Sequence, residues 1–205
     1  MELSTFLYFL IASVLLTLAP GPDIMYLLAK SLADGARSGI SLATGLCTGL
    51  IFHTTLVIIG VAAIIQQSPL AFAALKYVGA AYLLYLAWGA FHAQGDLKLN
   101  TVNKSNSYFK LYRRGVIMNI LNPKVLLFFL AFLPQFVNLD SDSVSLQIAF
   151  LGFVFGLQTL IVFSLVAICA GKVRDYILNI KNFNKIMGYV QGIVLIGISL
   201  ALIIS

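Results

Sequence analysis

Six apolar stretches, at roughly residues 4–30, 38–65, 69–92, 115–137, 144–171 and 186–204, constrain this chain more than any other feature. Each reaches the ~20 residues that an α-helix needs to cross the hydrocarbon core of a bilayer. Inside lipid every backbone N–H and C=O needs an internal partner, so spanning segments of this length have to be helical. The expected fold class is therefore an all-α integral membrane protein with six transmembrane helices. Charged residues make up only 10% of the sequence and mean hydropathy is +0.99, whereas a soluble domain carries ~25% charged residues. A single transmembrane domain over 1–205 is expected, with no space for a separate soluble one. Met1 to Thr5 offers no Lys or Arg, only Glu2, so the first apolar run reads as a span and not as a cleavable signal peptide.

A net charge of +6 would point to nucleic acid in a soluble chain. Here the cations follow the connections between spans. Lys30 and Arg37 flank the first connection; Lys98, Lys104, Lys110, Arg113 and Arg114 fall in the third; Lys172, Arg174, Lys181 and Lys185 fall in the fifth. The even connections and both termini have none, and the fourth carries Asp140 and Asp142. Cationic loops stay cytoplasmic, so both termini are predicted to face outward and no nucleic-acid partner is expected. Cys47 and Cys169 lie in separate apolar segments without a CxxC or CxxH pattern and read as packing residues.

The remaining two cations, Lys76 and Lys124, fall inside spans, and Lys124 has a counterpart. Asp23 follows Pro22 in LAPGPDIMYLLA (18–29), and Lys124 follows Pro123 in NILNPKVLLFFLA (119–131). A charge near the bilayer centre costs ~2.5–3.5 kcal/mol on insertion scales. A proline there removes a backbone donor and disrupts the preceding helix. Pro20, Gly21, Pro22 and Pro123 thus mark two broken helices, the first and the fourth.

The halves echo one another in order. Gly45-x-x-x-Gly49 is followed in the second half by Gly152-x-x-x-Gly156, and Lys76-x-x-Gly79 by Lys185-x-x-Gly188. Three spans per half make the repeats inverted: about 1–92 and about 115–205, joined by a basic cytoplasmic loop at about 93–114. In such proteins the binding site lies at the repeat interface, on the broken helices.

A half-helix beginning at Pro22 stabilises Asp23 at its positive end, whereas Lys124 at the start of the other half-helix adds to existing positive potential. Pairing with Asp23, or binding of an anionic group, would relieve that conflict. A zwitterion can meet both charges, with Asn119 and Asn122 as neighbouring donors and acceptors and Gly21 allowing close approach. A buried ion pair that only locks the halves together accounts for the same residues. Gly45, Gly49 and His53 form one ridge on the second span. The glycines read as helix packing. His53 reads either as a proton relay or as a hydrogen bond between helices, as do Gln158 and Thr159 in the fifth span. His92 falls at the inner end of the third span. Trp88, Tyr108 and Tyr112 suit the membrane interface.

At these positions the sequence resembles the lysine exporter / homoserine–threonine resistance (LysE/RhtB) family of bacterial amino-acid exporters. The resemblance covers almost the whole chain and rests on APGPD (19–23), GISLATGLCTGLIFH (39–53), KYVGAAYLLYLAWG (76–89) and NILNPKVLLFFLAFLPQF (119–136). The family's motif positions here are Pro22 and Asp23, then Asn122, Pro123 and Lys124. The resemblance implies no enzyme and no cofactor. It implies export of amino acids across the bacterial cytoplasmic membrane, driven by the proton motive force. Asp23, Lys124, Asn119 and Asn122 are the expected substrate contacts, and Asp23 or His53 the proton carrier. One intramembrane acid leaves none for a basic side chain, which favours neutral substrates such as threonine, homoserine or leucine. The partners expected are the amino acid, protons and the bilayer; spare glycine faces permit a homodimer. A divalent-metal exporter is the alternative, but no clustered metal ligands are visible. A membrane thiol-redox carrier would need cysteines where Asp23 and Lys124 stand.

Overall fold

The computed structural model describes residues 2–67, 69–92, 107–138, 141, 143–172, 180 and 182–204. At 61–67, 69, 171 and 172 it describes the backbone alone. Lys98, Lys104, Asp140, Asp142, Arg174 and Lys181 lie outside the described residues, and the side chain of Lys172 does too. The described elements are all helical: α1 (Leu3–Leu18), α2 (Pro22–Asp34), α3 (Ala36–Gln67), α4 (Pro69–Phe91), α5 (Tyr108–Ile120), α6 (Pro123–Leu127), α7 (Val144–Lys172) and α8 (Phe183–Ile204). Beyond α6 the chain widens into a π-helical turn, Phe128–Phe132, and then tightens into a 3₁₀ turn, Leu133–Phe136. Pro134 accounts for that change, because it has no N–H to return to Leu130 and its ring crowds that carbonyl.

The two proline sites break their helices as expected. The axes of α1 and α2 differ by 58°, and those of α5 and the helical run from Pro123 to Phe136 by 50°. Pro22 and Pro123 each occupy the first turn of the helix they open, where a missing N–H costs nothing. Counting each bent pair as one, six spans result, and the protein is a six-helix membrane protein. Much of its surface is apolar, with Leu3, Ile51, Ile59, Phe153, Ile193 and Ile204 among the exposed side chains, as a lipid-facing surface requires.

Packing brings the breaks together. α3 runs along both α5 and α7, α4 pairs with α8, and α2 lies against α3 and α7. The α3–α5 approach is close because glycines line it. A Cβ on Gly45 would collide with the Tyr112 carbonyl, one on Gly115 with the Leu42 carbonyl, and one on Gly49 would stand 2.7 Å from Asn119 Cβ. Beside the breaks, Phe128, Phe129 and Phe155 pack ring to ring, and Phe132, Phe136 and Phe9 continue that apolar core.

Two helices differ from the sequence reading at their ends. α5 begins at Tyr108, ahead of the apolar run at 115, so Lys110, Arg113 and Arg114 sit on a helix and not in a loop. Tyr26 on α2 supports this extension, with the Arg114 guanidinium 4.1 Å from its ring centre. Lys30, assigned to the first connection, is instead fully buried on α2 and pairs with Asp34 one turn on.

Candidate functional site

The breaks face each other, and each intramembrane charge reaches across to the opposite one. α1 stops at Leu18, so the carbonyls of its last turn have no helical partner. Lys124 Nζ donates to two carbonyl oxygens there, Leu16 O at 3.2 Å and Ala19 O at 3.0 Å. Lys124 is thus held at the negative end of α1 and not by a carboxylate. In return Asp23, in the first turn of α2, accepts from Asn122 Nδ2 at 2.7 Å through Oδ2. Asn122 also caps α6, its Oδ1 accepting from the Lys124 backbone N–H at 3.0 Å. The direct Asp23–Lys124 pair that the sequence allows is absent, and crossed contacts between the two breaks take its place.

The Gly21 backbone is extended, with φ −172° and ψ 179°. That conformation is open to any residue, so room and not flexibility explains the glycine. A Cβ at Gly21 would lie 3.2 Å from Lys124 Nζ. Pro20 occupies the same linker, buried between the two half-helices.

His53 and Asn119 meet on the α3–α5 seam. His53 Nε2 donates to the Asn119 carbonyl at 2.9 Å, and the same oxygen accepts from the Asn122 N–H at 2.9 Å. A carbonyl only accepts, so the neutral ring carries its proton on Nε2. Nδ1 then remains a buried acceptor without a partner among the described residues. Gly45, Gly49 and His53 do continue one ridge, and α5 lies along it.

Asp23, Asn119 and Lys124 border a small cavity of about 20 Å³, together with Leu16, Thr17 and Thr159. That volume holds about one water molecule. Among the described residues Asp23 Oδ1 and Asn119 Oδ1 have no donor. Lys124 uses two N–H groups on carbonyls, and an ammonium has three. Two acceptors and one donor are therefore left over around a small void. Unsatisfied buried groups of this kind are costly unless something fills the space.

On the α1–α7 side the sequence reading of Gln158 and Thr159 as helix contacts omits their partners, Ser13 and Thr17. Gln158 Nε2 donates to Thr17 Oγ1 and Thr159 Oγ1, both at 2.9 Å, and lies 3.4 Å from Ser13 O. Ser13 and Thr17 sit one turn apart within an apolar span, a spacing that puts two hydroxyls on one face. Trp88, Tyr108 and His92 are exposed, and His92 Nδ1 donates to Trp88 O at 2.8 Å. Tyr112 donates to Thr48 Oγ1 at 3.2 Å.

Comparison with known proteins places this architecture. The family model described as LysE type translocator matches residues 14–205. The chain belongs to the LysE-type translocator family. It is 32% identical over 183 residues, 88% of each chain, to the homoserine/homoserine lactone efflux protein of Salmonella typhimurium. It is 31% identical over 194 residues, 90% of this chain and 91% of the other, to the uncharacterized membrane protein YrhP of Bacillus subtilis. No solved structure matches the chain. The match of this LysE-type translocator begins within α1 and takes in both breaks, the whole of the α3–α5 seam and the α1–α7 contacts from Val14 onward.

Proposed function

We propose that this LysE-type translocator is a secondary transporter that exports neutral amino acids across the cytoplasmic membrane in exchange for protons. The observation that carries the reading is the crossed pair of breaks. A buried ammonium and a buried carboxylate stand at one small cavity, each with unused hydrogen-bonding capacity. An α-amino acid presents the complementary charges. Its carboxylate replaces the Leu16 and Ala19 carbonyls at Lys124, and its ammonium meets Asp23 and Asn119 as Asn122 lets go. A void of about 20 Å³ is too small for any amino acid, so the half-helices have to part before substrate enters. The two broken spans act as equivalent parts of inverted repeats, about 1–92 and about 115–205, with both termini outside.

Proton coupling falls to Asp23 or to the free Nδ1 of His53. One charge moving down 100 mV releases ~2.3 kcal/mol, about a fifty-fold gradient, so one proton per zwitterion suffices for useful efflux. A metal exporter would need a ligand cluster, and among the described residues no three His, Cys, Asp or Glu side chains form one. Similarity to a homoserine/homoserine lactone efflux protein supports a small neutral amino acid as cargo.

The test is release of amino acids from cells loaded with mixed dipeptides, comparing wild type, Lys124→Ala and empty vector by mass spectrometry. Faster release of a small group of neutral amino acids by wild type alone is the expected result. Equal release from all three strains, with both proteins present in the membrane, overturns amino-acid export.

A further inference from the structure

We propose that the first turns of α5, together with the start of α3, form a docking site for the headgroup of an anionic phospholipid. Lys110, Arg113 and Arg114 stand three and four residues apart on α5, which places the three cations on one helix face. All three are exposed, as is Arg37 in the first turn of α3. The two helix starts meet, for Ser41 Oγ donates to the Tyr108 carbonyl at 2.6 Å, and Arg37 lies about one turn before Ser41. From there α3 and α5 run side by side in the same direction, as far as His53 and Asn119. Both helices thus turn their positive ends to the same side of the membrane.

Such an arrangement is unfavourable by itself. Cations in a first turn add to the positive potential of a helix N-terminus, and like charges three and four residues apart repel. No acid occupies the first turn of α3 or of α5. Among the described residues only Glu2, Asp23 and Asp34 are acidic. Glu2 precedes α1, Asp23 belongs to the helix break, and Asp34 is paired with Lys30. The cluster is nonetheless held firmly. The Arg114 guanidinium lies 4.1 Å from the centre of the Tyr26 ring, and Tyr112 ties the same turns to Thr48 on α3. Fixed positive charge without an acidic partner among the described residues calls for an anion from outside. The neighbouring side chains indicate which one. Tyr108 and Phe109, beside Lys110, are 56% and 66% exposed, and exposed aromatic rings next to a span lie at headgroup depth. The anion is therefore one already seated in the bilayer surface. A phosphodiester offers two oxygens to an arginine fork, and each basic group near an anionic lipid surface strengthens attachment about fivefold. A lipid held there steadies the start of the helix whose far end carries Asn119, beside the break at Asn122. The assignment is independent of the cargo.

Quenching of a single tryptophan by brominated lipid reports which headgroups gather beside it. The full chain with Trp88→Phe and Phe109→Trp is reconstituted in phosphatidylcholine vesicles, where brominated phosphatidylglycerol or brominated phosphatidylcholine replaces part of the lipid. A second protein, with Trp88→Phe and Ile59→Trp, puts the reporter on exposed surface towards the other end of α3. At position 109 phosphatidylglycerol is expected to bind at least about fivefold more tightly than phosphatidylcholine; at position 59 the two should bind alike. Adding Lys110→Gln and Arg113→Gln, both at exposed positions, should bring the ratio at position 109 close to one. A ratio near one before those substitutions overturns the site and leaves its cations to orientation alone. So does a preference that survives them, or one equally strong at position 59, because it then belongs to the vesicle surface at large. Loss of the preference on adding inorganic phosphate, but not chloride at equal ionic strength, makes free phosphate the ligand and overturns the lipid.

Discussion

Asn122 connects more of the site than any charged residue does. Its amide nitrogen serves Asp23 on one break and its oxygen caps the helix that carries Lys124 on the other. Asn122→Ala removes both bonds and leaves Asp23 Oδ2 without a donor, which costs ~1–3 kcal/mol. Thermal unfolding of the purified protein in detergent should show that loss; an unchanged midpoint would mean that solvent replaces the amide. His53 allows a separate test of coupling. His53→Gln keeps a donor for the Asn119 carbonyl but has no titrating nitrogen. If His53 carries the proton, this variant should exchange substrate across vesicles yet cease to respond to an imposed pH gradient. A retained response transfers the role to Asp23. The charges themselves stand out in the sequence, because each follows a proline in an apolar run. The destination of Lys124 does not, because its partners are backbone oxygens of Leu16 and Ala19, and carbonyls have no residue type to recognise.

At the scale of elements, the breaks and the seam make different demands on glycine. Gly21 is extended, and the atoms nearest to a Cβ there belong to Lys124 and the Ala19 carbonyl. Gly21→Val should leave the protein in the membrane at wild-type levels while cutting export, because the added carbon displaces the ammonium. Export at the wild-type rate would show that Lys124 need not sit at the end of α1. Gly45 faces backbone, the Tyr112 carbonyl, which cannot swing aside. Gly45→Val therefore separates α3 from α5 and should destabilise the fold by ~1–3 kcal/mol or more, read as lower membrane levels and an earlier unfolding midpoint. Six spans and both bends were legible from hydropathy and proline placement. The early start of α5 was not, because Tyr108 to Arg114 is polar enough to look like loop, and its contacts are with distant parts of the chain: Arg114 on Tyr26, Tyr112 on Thr48 and the Tyr108 carbonyl on Ser41. Gln158 and Thr159 were legible as helix contacts, but their partners Ser13 and Thr17 were not. Those partners lie on α1, far away in sequence, and their one-turn spacing names a helix face without naming what packs on it.

For the molecule as a whole, orientation is the property most open to direct measurement. With Cys47 and Cys169 replaced by alanine, Ser4→Cys at the start of α1 should react with a membrane-impermeant maleimide in intact cells. Ser107→Cys, exposed just before α5, should react only after the membrane is permeabilised. The reverse pattern would invert the topology. The burial of Lys30 beside Asp34 removes one cation from the loop count, yet the third connection retains enough positive charge to favour the same orientation. The crossed contacts of Lys124 and Asp23 have an electrical corollary. Opposite formal charges held at one cavity make the empty core neutral as a unit, and a zwitterion adds nothing to that total. Under the proposed exchange, neither the vacant nor the loaded carrier feels the membrane voltage during its turn-over, and the voltage acts on the accompanying proton alone. If that exchange holds, current recorded from this protein would count protons, one by one, and be blind to its cargo.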